Sequence, residues 1–107
     1  MAAEADRWFS VRCVFQWHSR QGQPFEERIT LWRATSVDDA IRSAEEEALA
    51  YAEASDVTYL RFAQAYALDE GVAIGHGTEL YSLLRDSELA PEQYLDAFFD
   101  TGRERTA

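Results

Sequence analysis

Between residues 8 and 18 the apolar side chains fall on alternate positions: Phe9, Val11, Cys13, Phe15 and Trp17 share one face. Trp8, Ser10, Arg12, Val14 and Gln16 take the other. A period of two with aromatic and β-branched enrichment predicts a strand. Residues 19–24 read as a turn punctuated by Gly22 and Pro24. A second strand follows over about 25–34, with Phe25, Ile29 and Leu31 on one side and Arg28, Thr30 and Trp32 on the other. The two strands form a β-hairpin.

The period then changes. Val37, Ile41, Ala44, Ala48 and Tyr51 recur at three- and four-residue spacings, which predicts a helix with one apolar stripe. Ser36 stands at its N-cap, and Asp39 occupies the position of the reciprocal carboxylate in a capping box. The helix is expected to end near Ala54, giving about 19 residues and ~28 Å. A third strand is expected over about 57–68, a glycine-containing loop over 69–77 and a fourth strand over about 78–85. Pro91 then opens a second helix, whose Tyr94, Leu95, Phe98 and Phe99 form an aromatic stripe and which Gly102 terminates.

The expected fold is α+β, in the order β-β-α-β-β-α. A long helix returning the chain across the sheet makes the third strand antiparallel to the first. The first strand is the most apolar, which favours a central place, so the expectation is a four-stranded antiparallel sheet ordered 2-1-3-4. The long helix covers the Phe9/Val11/Cys13/Phe15 face. Ala63, Ala65 and Ala67 are expected to leave a shallow stripe on the opposite face. The C-terminal helix, a 90–101 extension, docks there or forms a dimer interface through Phe98 and Phe99. Length confirms the scale: 107 residues make one domain, 1–107, behind a short acidic leader over 1–6 that is expected to fray.

Charge narrows the partners. Twenty acids against ten bases, all of them arginine, give a net charge of −10. That balance disfavours nucleic-acid backbones and anionic membranes, which both require positive charge. Cys13 is the lone cysteine, so an intrachain disulfide framework and cysteine metal clusters are excluded. The opening Met-Ala-Ala-Glu-Ala-Asp-Arg lacks the signal-peptide pattern, and no apolar run approaches the ~20 residues of a membrane span. A cytoplasmic chain is expected, with no membrane partner.

Candidate chemistry is sparse. The loop at Gly71, Gly75 and Gly77 superficially suggests a phosphate cradle, yet a P-loop needs a lysine and a following helix, and this loop has neither. It reads either as an ordinary connection or as a ligand loop using His76 and Glu79. His18 and His76 have no metal-ligand spacing, no nucleophile-elbow pattern occurs, and acidic runs such as Glu45-Glu46-Glu47 read as solvated faces. No catalytic residue, metal or cofactor is assigned.

The most unusual grouping is expected on the sheet face away from the helix. It comprises Trp8 and Arg12 from the first strand, Arg28 and Trp32 from the second, and Tyr59 and Arg61 from the third. Guanidinium groups over aromatic rings either seal that face within the chain or present a partner-binding surface, because arginine with aromatics is the composition of interface hot spots. Single-stranded nucleic acid is disfavoured by the charge.

The stretch Trp8-Phe9-Ser10-Val11-Arg12, the run from Glu26 through Ile29-Thr30-Leu31-Trp32 to Ala34, the helix start Ser36-Val37-Asp38-Asp39-Ala40 and the later Gly77-Thr78-Glu79-Leu80-Tyr81-Ser82 belong together. Over about residues 8–86 they resemble a small bacterial family named domain of unknown function 4288. The resemblance implies neither an activity nor catalytic residues. The expected function is a small acidic protein-binding domain without catalysis, of inhibitor or immunity type toward a basic partner. Its rivals are a small-molecule-binding or enzymatic domain built on the 71–77 loop, and a homodimeric structural subunit.

Overall fold

A computed structural model describes residues 6–18, 21–69, 73–99, 102 and 104. Residues 1–5 of the leader, 19 and 20 of the turn, Gly71 of the glycine loop, and 100 and 101 of the C-terminal extension lie outside the described residues. The fold is α+β. Strands β1 (Arg7–Trp17), β2 (Phe25–Ala34) and β3 (Val57–Ala67) and helices α1 (Val37–Ser55) and α2 (Pro91–Phe98) follow in the order β1-β2-α1-β3-α2.

The sheet is antiparallel, in the order β2-β1-β3. β1 takes the centre because its Phe9, Val11, Cys13 and Phe15 are the sheet's most deeply buried apolar row. At the hairpin end the Trp17 N–H donates to the Pro24 carbonyl at 2.8 Å. The β1–β3 register is interrupted between Cys13, which faces Ala63, and Phe15, which faces Tyr59. β3 thus carries the extra residues of a bulge, with Arg61 in the left-handed region at φ 58°.

α1 starts as its cap requires. The Ser36 hydroxyl accepts from the Asp39 N–H at 3.1 Å. The Asp39 carboxylate does not close a capping box; it accepts from the Thr35 hydroxyl at 3.2 Å and pairs with Arg42 at 2.9 Å. The helix ends at Asp56 in the left-handed conformation, φ 55° and ψ 48°, whose N–H returns to the Ala52 carbonyl. Its fully buried row is Ala40, Ala44 and Ala48, while Val37 is 46% exposed. Small side chains let the helix backbone settle close over Phe9, Val11 and Phe15, so the bulk of the core comes from the sheet.

Two expectations need correction. Residues 78–85 form no strand, so among the described residues the sheet has three strands and not four. Leu80, Tyr81, Leu83 and Leu84 place apolar groups at both parities, which gives a strand no single face to bury. The alanines of β3 also lie on the other side from that expected: Ala63, Ala65 and Ala67 pair with Cys13, Val11 and Phe9 and face α1. α2, capped by Phe99, packs against no other described strand or helix. No described helix is long and apolar enough to cross a membrane.

Candidate functional site

Cross-strand partners share a face, so the register assigns each side chain of the expected arginine–aromatic grouping to a side. Cys13 pairs with Arg28 and Phe9 with Trp32, and Phe15 pairs with Tyr59. Arg28, Trp32 and Tyr59 therefore face α1. Trp8 and Arg12, of opposite parity, point away from it, and Arg61 sits on the bulge. The six residues do not form one surface. The grouping requires Arg12 and Arg28 on one face, and the observed pairing sets Arg12 against Ile29 and Arg28 against Cys13, which places them on opposite faces.

The residues facing α1 make the polar border of the core. The Arg28 guanidinium lies 4.1 Å from the Tyr51 ring and pairs with Glu47, whose hydrogen bond raises the arginine's pKa. Tyr51 donates to Glu26 at 2.7 Å, and the Trp17 indole donates to the same oxygen at 3.1 Å. Tyr59 donates to Glu45 at 2.5 Å, and burial together with that bond pushes its phenol pKa well up. Burial likewise raises the Cys13 thiol, so this cysteine is a protonated core group. Glu26, Glu45 and Glu47 are thus fastened acceptors. Within the acidic runs, nothing in the spacing singles them out as such.

The opposite face is only partly covered. The segment 78–81 crosses it at the β1–β3 side. Ser10, fully buried, donates its hydroxyl to the Leu80 carbonyl. Tyr81 donates to Gln64 at 3.1 Å and stacks on Arg12, its ring centroid 5.4 Å from the guanidinium. Arg12 also donates to Gln64 and pairs with Glu27 at 3.2 Å. Beyond this strap the β2 half of the face is open. Phe25, Ile29 and Leu31 are 66%, 48% and 36% exposed. Arg33 ends the row, exposed and stacked on Trp8 with its guanidinium 5.6 Å from the ring. The apolar side of β2 points away from the core.

The other candidates sit elsewhere. His76 is exposed in a turn that closes on itself: the Gly75 N–H donates to the Thr78 hydroxyl at 2.8 Å, the Thr78 N–H returns to the Gly75 carbonyl at 3.2 Å, and Gly77 supplies φ 83°. Glu79 lines a cleft of about 280 Å³ with Tyr66, Leu68, Asp69, Gly77 and Thr78. Its hydrogen bond raises the Tyr66 phenol pKa. The cleft is smaller than the ~300–1,000 Å³ usual for ligand sites, and His76 does not line it. His18 is exposed at the end of β1, within 2.6 Å of the Thr58 hydroxyl. Phe98 and Phe99 are 44% and 51% exposed, with the Arg85 guanidinium 4.2 Å from the Phe98 ring. Among the described residues no group of three or more histidines, cysteines and acids is placed to hold a metal ion. Searches against protein-family models, curated proteins and solved structures return no match to this chain.

Proposed function

We propose that this chain is a protein-binding domain that acts by contact, and that the open β2 half of its sheet is the contact surface. One observation carries the reading: the apolar row Phe25, Ile29 and Leu31 faces away from α1, with no described helix packed over it. A strand with one apolar side gains stability by burying that side, and a monomer that exposes it retains a contiguous patch of the kind that marks interaction sites. Arg33 stacked on Trp8 at the row's edge adds the arginine–aromatic chemistry favoured at such contacts. A ligand-binding role for Glu79 has weaker support, given the small cleft. Membership of domain of unknown function 4288 is proposed on the quoted motifs and adds no activity to this reading.

A basic protein partner is a second reading, favoured by the outward acids Asp38, Glu46 and Glu53 of α1. One experiment separates the two. The immobilised chain is compared with its Ile29→Asp variant for proteins retained from lysate of the source organism, at low and high salt. Loss of a retained protein in the variant, persisting at high salt, supports the open face. Retention unchanged by the substitution but abolished by salt assigns contact to the acidic helix. Retention unaffected by either change refutes both.

A further inference from the structure

We infer that the open sheet face is covered by the C-terminal arm of a second copy, each chain donating α2 and the residues before it to the other. The inference rests on the contact-surface reading above and names the partner. The chain carries two apolar surfaces that its own fold leaves uncovered. One is the β2 row Phe25, Ile29 and Leu31. The other is the arm, where Leu84 is 94% exposed and Leu95, Phe98 and Phe99 are 54%, 44% and 51% exposed. α2 touches no other described helix or strand of its chain. The chain's radius of gyration is 16.4 Å, against about 13 Å for a compact domain of this length.

Charge selects the pairing. Two copies of a −10 chain repel, so a stable self-contact must bring opposite local charges together. The open face carries Arg12 and Arg33 against Glu27 alone, since Arg28 and Glu26 face α1. The arm carries Asp86, Glu88, Glu92 and Asp96 against Arg85, and Arg85 is already engaged by the Tyr94 hydroxyl at 3.0 Å and by the Phe98 ring. Arm on sheet therefore joins apolar to apolar and acid to arginine. Arm on arm, or α1 on α1, joins acid to acid.

Reach and symmetry agree with this. Residues 82–90 hold no helix or strand and can extend to about 30 Å, longer than the ~20 Å from Phe25 to Leu31 along β2. Reciprocal exchange uses the same two patches twice, so it closes as a two-fold dimer without an open repeat. Covering both surfaces in both copies buries four apolar patches at once, and a specific interface of this kind needs about 1,200–2,000 Å².

The test measures the mass of the full chain in solution at micromolar concentration by light scattering. The wild type is expected at twice the monomer mass. Ile29→Asp and the double substitution Phe98→Asp/Phe99→Asp are each expected at the monomer mass, with unchanged far-ultraviolet circular dichroism. Cross-linking fixes the geometry: an Ile29→Cys chain mixed with a differently tagged Phe98→Cys chain is expected to form a disulfide between copies, with native Cys13 buried and uninvolved. A monomeric wild type overturns the inference, as does a dimer that survives both charge substitutions. A double Ile29→Cys/Phe98→Cys chain that cross-links within itself also overturns it, since the arm then folds back on its own sheet. If the wild type is monomeric yet Ile29→Asp abolishes capture of another protein, the second copy is excluded and the contact surface stands.

Discussion

The two faces of one three-stranded sheet have been finished to different standards. Toward α1, the row Phe9, Val11, Cys13 and Phe15 lies within 4% exposure, and the border is closed by Tyr51 and Trp17 donating to Glu26, Tyr59 donating to Glu45 and Arg28 paired with Glu47. Away from α1, a single irregular strap covers the β1–β3 side, and the β2 side keeps its apolar row in contact with solvent. Both faces contain large apolar residues. The difference lies in whether the chain supplies a covering element, and only the first face has a nineteen-residue helix to do so. A well-packed face serves stability, whereas an apolar face left open within the chain is the proposed contact surface.

Breaking the covered face costs most. Phe15→Ala removes a fully buried ring set against Tyr51 at 5.1 Å and Tyr59 at 5.4 Å, and a loss of about 3–5 kcal/mol is expected in denaturant unfolding. Alkaline pH attacks the same side. Burial and the bond to Glu45 place the folded Tyr59 pKa above its unfolded value of about 10, so its contribution is intact below about pH 10 and is lost as pH rises through the folded value. Circular dichroism and tyrosinate absorbance followed together should show unfolding only beyond about pH 10, with Tyr59→Phe weakening the pH dependence.

The strap comes next. Ser10→Ala removes the hydroxyl donor to the Leu80 carbonyl, a part-buried bond, and should cost about 0.5–1.5 kcal/mol. Hydrogen exchange should rise over residues 78–81 more than in α1. The smallest effect belongs to the open face. Ile29→Thr should alter the stability of the isolated chain by no more than about 0.5 kcal/mol, because little is buried there to lose. A loss above 2 kcal/mol for the monomer would erase the contrast between the faces.

The hairpin, the capped helix and the third strand were legible because their periods are clean and their boundaries carry turn or cap chemistry, from Gly22 and Pro24 to Ser36. Residues 78–85 were misread as a strand because Leu80, Tyr81, Leu83 and Leu84 are strand-compatible one by one while lacking a shared face. The candidate site was half legible. The alternation in β2 separates Phe25, Ile29 and Leu31 from Arg28, Thr30 and Trp32, but it does not say which set meets the helix. Grouping Arg28 and Trp32 with Trp8 and Arg12 followed composition, and the register divides them. The Ser10–Leu80 tie spans seventy residues, and no local pattern announces it.

The sequence by itself determined the acidic charge, the α+β class, the central place of β1 and the residues available on each side of each strand. These follow from local periodicity and composition, which act over a few residues at a time. Only the tertiary structure decided that β2 turns its apolar side away from α1, that the strap covers one half of the remaining face, and that α2 stands apart from the sheet. Those outcomes depend on register and on which distant segments meet. A shift of one residue in pairing exchanges the faces without altering any local preference.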